Sequence, residues 1–581
     1  RYGGVAHNYR YIDDQMMPVS YADSVGHNWQ REMFRTALQQ NHNVSVSGGS
    51  QSGDYAVSVG HTSQEGIIEN SSYERTTMRI NLNQRITRRL KGNAMLTYTS
   101  TTQNGSVISS DVGVGAAAGV IQQMLVFRPV NVGSLDEIDM EQTPPVSNPL
   151  LYNEQAVRKN TINRTQYAFS LTYEILPELN LRTAYSGFVN NVRTKEFMPK
   201  VVGPGYQTNG KNTSAYGTDT KWVSETTLNF KKQFNRISRM DAMLGFTVES
   251  LRNRTESTTV QNILDETLGE ESMGWGTEVA LPVTNSITET SLMSVFGRVN
   301  YTYRNRYLFT ASLRADGSSK FRKGNKFSYF PSAAFAWRIS EENFMRSQDV
   351  VSNLKLRLSY GRTGNQSIGA YSTFDRMSLA YTLYSEKNLA GGIYPSQIGS
   401  QDLRWETTDQ YNIGIDLGLF NNRINLTADL YRKNSTDLLL QQPVSHTTGA
   451  DYIVNNIGSV RNQGVEFALN AMVVDNRNFR WETNFNLSMN RNEVLDLGSV
   501  DYYLVDPSNN TQFINAFILR KGGSVGDMYG YKYRGVYQYG DFVEFYDVDP
   551  VSGAMTLKSP EECLALYKPN KRYTPMPGVA D

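Results

Sequence analysis

The sequence predicts an all-β protein, an antiparallel β-barrel that crosses a membrane. Three observations carry this expectation. Runs of strictly alternating apolar and polar residues recur along the chain, the period of a half-buried strand. The connections between the runs alternate between short and long with hardly an exception. Mean hydropathy is −0.47, and no run approaches the roughly 18 apolar residues that a spanning helix needs. A large barrel accommodates that polarity, because only the outward face of each strand meets lipid while the lumen and loops are polar. Hydrocarbon tolerates only helices and closed barrels, since every backbone polar group must find an internal partner.

The elements follow in pairs. Strands at 44–48 and 55–60 flank GGSQSGD (48–54), and those at 78–83 and 94–99 flank ITRRL (86–90). Next come 167–173 and 179–188 around ILPEL (175–179), then 227–234 and 242–249 around NRISR (235–239). YRNRY (303–307) joins 295–303 to 307–315. SEENFMRSQDVVSN (340–353), longer than a tight turn, joins 331–339 to LKLRLSY (354–360). FNNR (420–423) joins 411–420 to RINLTADLY (423–431), and VDNRN (474–478) joins VEFALNAMV (465–473) to WETNFNLSM (481–489). That makes about sixteen strands, most of roughly 8–12 residues, enough to cross a bilayer at a tilt. The long connections, 61–76, 101–165, 189–224, 250–291, 316–329, 361–408, 433–462 and 490 onward, share the opposite side. A β-sandwich would instead turn every 8–12 residues or so.

Alternation also assigns faces. In LKLRLSY, Leu354, Leu356, Leu358 and Tyr360 are expected toward lipid, and Lys355, Arg357 and Ser359 toward the lumen. Aromatics gather at strand ends: Tyr301, Tyr303 and Tyr307 at one turn, Phe479 and Trp481 at another, with Phe420 and Trp337 at further ends. They are expected to form interfacial girdles.

Composition excludes other classes. Lys and Arg number 57 against 56 Asp and Glu, so there is no general pull toward nucleic acid, and the basic turns lack a domain-scale patch. Cys563 is the single cysteine, which excludes an internal disulfide. His7, His27, His42, His61 and His446 form no H-E-x-x-H or triad-like pattern. Asp136, Glu137, Asp139 and Glu141 offer oxygen ligands for Ca²⁺ but lack the EF-hand glycine and spacing, so a solvated loop is expected. Gly364 and Gly369 have the spacing of a phosphate-binding loop, yet Ala370 and Tyr371 occupy its Lys and Ser/Thr places. No catalytic residue, cofactor or metal is expected.

Longer motifs carry a resemblance. NHNVSVSGGSQSGDYAVSVGHTSQEGIIENSSYERTTMRINLN (41–83), RADGSSKFRKGNKFSYFPSAAFAWRISEENF (314–344), LKLRLSYGRTGNQSIGAY (354–371), LRWETTDQYNIGIDLGLFNNRINLTADLYRKNSTDLLL (403–440), NIGSVRNQGVEFALNAMVV (456–474) and YGYKYRGVYQ (529–538) occur in order. Together they resemble the barrel of SusC/RagA-type TonB-dependent transporters. The resemblance implies a 22-stranded barrel closed by an N-terminal plug, of which residues 1–581 supply a fragment of the barrel domain from about the second to the seventeenth strand. No plug, TonB box or closing C-terminal strands are recognised. It further implies an integral outer-membrane importer of a Gram-negative, Bacteroidetes-type cell, taking up oligosaccharides or peptides. Its partners would be a SusD-like lipoprotein lid and the TonB–ExbB–ExbD complex, the latter engaged through the missing N-terminal part; a passive channel or structural barrel without TonB coupling is the alternative. Contacts to solute or lid are expected in the long loops and upper lumen: Trp275, Asp316, Lys320, Arg322, Lys323, Arg362, Asn365 and Gln366. Each must also serve the packing of its own loop. Trp405, in LRWE, is expected in a girdle or in packing.

Overall fold

The computed structural model describes residues 28–105, 119–127, 147–280, 283–345, 347–385, 388–450, 452–505 and 516–533, with short segments at 9–12, 15–18, 546–548, 551, 555–557 and 573–576. Among the described residues sixteen long strands form an antiparallel meander. They are β1 (Gln39–Ser50), β2 (Gly53–Glu65), β3 (Ser72–Arg85) and β4 (Leu90–Gly105), then β5 (Val157–Leu176), β6 (Leu179–Met198), β7 (Lys211–Asn235) and β8 (Ser238–Ile263). β9 (Thr284–Tyr303), β10 (Tyr307–Ser318), β11 (Phe327–Arg338) and β12 (Val351–Asn365) follow. β13 (Glu406–Leu419), β14 (Ile424–Thr436), β15 (Ser459–Asp475) and β16 (Arg480–Asp496) complete the wall.

The strands take the circular order of a barrel, and registers link each strand to the next from β1 to β16. Among the described residues no register joins β16 back to β1; β1 is exposed along nearly its whole length and β16 along most of it up to Arg491.

Every expected strand is present, but the expected lengths are too short: the strands run from 12 residues in β1 to 26 in β8. Beyond the lipid, pairing needs only backbone, so the ladder continues where no apolar face is required. β7 opens on KNTSAYGTDT, polar on both faces, yet it stays in register with β8 to Lys211↔Gln261. The long connections shrink accordingly, to 66–71 between β2 and β3 and 199–210 between β6 and β7.

The short side is built from tight turns. Between β9 and β10, Arg304 and Asn305 take φ of 51° and 53°, the pair of positive values that a type I′ hairpin requires. The longer link from β11 to β12 holds two 3₁₀ turns, Ile339–Glu341 and Asn343–Met345. There Glu342 accepts from Tyr307 Oη at 2.6 Å, Trp337 Nε1 at 3.1 Å and Arg306 Nη1 at 2.8 Å, and the Tyr307 hydrogen bond leads in holding its carboxyl below the usual range. Tyr303, Tyr307 and Trp337 stack beside it at 6.4 and 6.5 Å.

The two faces differ as alternation predicts. One outward row passes through eight strands as Tyr301, Phe309, Phe335, Leu358, Ile413, Leu430, Val465 and Met489. On the inner face Arg357 meets Asp416 at 2.9 and 3.0 Å and Asp429 at 2.9 and 3.0 Å. Lys355 adds a further cation 3.6 Å from Asp416.

Two small cores lie on the long-loop side. The first gathers α1 (Trp29–Met33), α2 (Val120–Val126) and α3 (Pro149–Gln155). Asn28 and Asn148 cap α1 and α3 with their side chains, and Pro149 opens α3 where no N–H is needed. Trp29, Met33, Ile68, Met124, Tyr152 and Met198 bury against one another there. A short α4 (Gly203–Gln207) follows β6. The acidic cluster Asp136, Glu137, Asp139 and Glu141, together with His7, His27 and Cys563, lies outside the described residues.

Candidate functional site

The second core fuses three long connections into one rim. Lys320, between β10 and β11, donates from Nζ to the carbonyls of Gln366 at 3.3 Å and Ile368 at 2.8 Å. Burial pushes its ammonium below the usual lysine range. Arg322 donates from Nε and Nη2 to the Thr373 carbonyl at 3.0 and 2.9 Å. Its guanidinium also lies 3.9 Å from the Phe374 ring centroid, close enough for cation–π attraction. Phe321, between the two cations, is 1% exposed and packs with Phe330, Ile368, Leu403, Trp405 and Val454.

Trp405 is the centre of this core, and it is packed rather than placed in a girdle. Its indole lies 5.4 Å from Phe321 and 5.5 Å from Phe330, and Nε1 donates to the Lys326 carbonyl at 2.9 Å. Gly364 faces the same rings: a Cβ there would stand 2.2 Å from Phe330. The glycine of GRTGNQSIG thus admits an aromatic ring, not a phosphate. Asn365 donates to Glu406 Oε1 at 3.2 Å, and Glu406 Oε2 accepts the Leu439 amide at 3.2 Å, which draws in the connection after β14. Arg404 pairs with Asp437 at 2.7 Å in the same place.

The structure therefore brings Lys320, Arg322, Asn365 and Gln366 together, all four as ties between loops. Lys323, in the same loop, is exposed, with no described bond. Asp316 is nearly buried on the lumen side, held by Arg314 Nε at 2.6 and 2.9 Å. Arg362 points to the outward face, where it holds both oxygens of Asp409 at 2.9 Å. Trp275 ends a 3₁₀ turn (Gly269–Trp275) between β8 and β9 and is 46% exposed.

Two features escaped the sequence reading. Asp416 and Asp429 share the inner parity of Arg357, so register alone could have joined them. The first loop core had no local signal, because Trp29 ahead of β1, Ile68 and Tyr152 in two connections and Met198 at the end of β6 meet from four distant stretches of the chain.

Residues 130–552 match the family model described as TonB dependent receptor-like, beta-barrel. The chain belongs to the TonB-dependent receptors. The TonB-dependent receptor P3 of Formosa agariphila is 31% identical over 529 residues, covering 89% of this chain and 52% of that protein. The TonB-dependent receptor SusC of Bacteroides thetaiotaomicron is 29% identical over 533 residues, 83% of this chain and 50% of that one. This TonB-dependent receptor thus spans about half the length of the curated relatives it matches. A structure of the RagAB peptide transporter superposes with a TM-score of 0.75 at 22% identity, covering 96% of this chain and 61% of that chain. At that identity it shows the shared fold.

Proposed function

We propose that this chain is the barrel of a TonB-coupled outer-membrane importer of bulky nutrients, oligosaccharides or peptides, working beneath a SusD-like lipoprotein lid. The observation that carries this reading is a barrel of the receptor family whose inner wall is lined with charge, Arg357, Lys355, Asp416 and Asp429, while its outer wall is apolar. A hydrophilic solute crossing the lumen finds hydrogen-bond partners there in place of water. The likeness to SusC and to the RagAB peptide transporter supports a large solute and a lid. Coupling to the TonB complex would run through a plug supplied by segments outside this chain.

The welded rim gives solute and lid a fixed mouth to meet. Because Lys320, Arg322 and Asn365 spend their side-chain polar groups on neighbouring segments and Gln366 is tied through its carbonyl, exposed Trp275 and Lys323 are the better candidates for contact with solute or lid. Asp316 and Arg362 act in the wall.

The test is uptake. Cells lacking the full-length gene should lose import of labelled oligosaccharide or of labelled peptide, and the complemented strain should lose it again when the proton gradient is collapsed. The two solute arms decide the substrate class. Uptake that survives collapse of the gradient would make the barrel a passive channel.

A further inference from the structure

The outward face of β13–β16 carries a cationic, apolar-floored groove that the import reading leaves unused. A cavity of about 600 Å³ opens there. Its floor is the apolar row Ile413, Leu430, Val465 and Met489. The next outward row toward the long loops runs Tyr411, Arg432, Gln463 and Arg491. Arg432 and Arg491 are both exposed and have no described hydrogen bond or ion pair. Several outward arginines elsewhere are paired: Arg362 with Asp409, Arg461 with Glu493 and Arg252 with Glu289. The row above the groove holds two of those pairs and so adds no net charge, which leaves the groove itself with two uncompensated cations.

Height places them at a headgroup. Arg432 and Arg491 follow the short turns by nine and twelve residues, counted from Arg423 and Phe479. At about 3.4 Å per residue and a tilt of roughly 40°, they stand about 23 and 31 Å above those turns. The apolar band of such a barrel is about 25 Å tall, so the two guanidinium groups bracket its upper edge. Two strand spacings, roughly 10 Å, separate their backbones, with Gln463 between.

We propose that this groove binds a phosphorylated lipid of the leaflet on the long-loop side. An acyl chain lies along Ile413, Leu430, Val465 and Met489. The phosphate sits between Arg432 and Arg491, whose planar groups bond phosphate oxygens in pairs, and Gln463 donates from its amide. In the outer membrane of a Gram-negative cell the phosphorylated lipid of that leaflet is lipid A, and the inference rests on the membrane orientation proposed above.

The experiment is native mass spectrometry of the full-length protein released from detergent, titrated with lipid A, with dephosphorylated lipid A and with inorganic phosphate. Retention of lipid A should exceed that of its dephosphorylated form at least about fivefold, and Arg432→Gln/Arg491→Gln should erase the preference. Arg252→Gln, a paired arginine away from the groove, should keep it. A heat-modifiable gel band shows that each variant has folded. Equal retention of the two lipids by the wild type, a preference that persists in the double variant, or competition by inorganic phosphate alone would overturn the proposal. A wild-type protein that needs no detergent would instead overturn the membrane reading beneath it.

Discussion

Tyr152 shows how a single residue ties the first loop core to solution conditions. Its side chain is 1% exposed, and burial pushes its phenol up to about 12, with Glu196 adding to the rise. The unfolded chain releases that proton near the ordinary value of about 10. As pH climbs between these values the unfolded state loses protons first, so its stability relative to the folded core improves. The stability linked to Tyr152 is complete below about pH 10 and is lost as pH rises through about 12, a total of about 2–3 kcal/mol. Hydrogen exchange of the α3 amides, followed from pH 9 to 12 and corrected for intrinsic rates, should show this loss. The Tyr152→Phe variant should show a flat profile. A wild-type profile as flat as the variant's would remove the phenol from the account. Gly364 makes the complementary point: its place is set by the ring of Phe330, a contact that no local motif encodes.

At the scale of elements, the loops divide into welded and free parts. The hairpin Arg376–Ser385 with Asn388–Gln397 pairs with itself, and it leaves Met377, Leu379 and Ile393 largely exposed. Replacing residues 378–394 with a short Gly/Ser linker should change barrel stability by no more than about 0.5 kcal/mol, as for other surface changes. Trp405→Ala should cost about 3–5 kcal/mol locally, because it opens the space between Phe321 and Phe330 and frees the Lys326 carbonyl. Exchange rates of the 319–326 amides measure the difference; a Trp405 variant as protected as the linker variant would mean the rim is not one unit. The same division explains what was legible in the sequence. All sixteen strands were, because lipid on one side and a polar lumen on the other impose a period of two on runs such as Leu354–Tyr360. Their true ends were not, because stretches such as KNTSAYGTDT pair through backbone alone. Nor was the rim, because the burial of Phe321, Leu403 and Trp405 depends on three connections meeting. The charges of Lys320 and Arg322 drew notice as solute ligands for their residue type, while their actual partners are carbonyl oxygens, which every residue carries.

For the whole molecule, the asymmetry between tight turns and welded loops sets a direction across the membrane. The short side offers little beyond hairpins such as Arg304–Asn305, whereas both small cores sit on the long side. Building those cores requires side chains from several connections to meet. If the long side faces the cell exterior, Leu268 lies outside: it belongs to the connection after β8 and is 53% exposed. Asn478, in the turn after β15, then lies in the periplasm and is also exposed. In a full-length protein freed of its cysteines, including Cys563, Leu268→Cys should react with a membrane-impermeant maleimide on intact cells. Asn478→Cys should react only after the cells are lysed. Labelling of Asn478→Cys on intact cells, with Leu268→Cys protected, would invert the barrel. It would also withdraw the loop rim from any encounter with extracellular solute, since the charged wall at Arg357 would then be approached from the side of the tight turns.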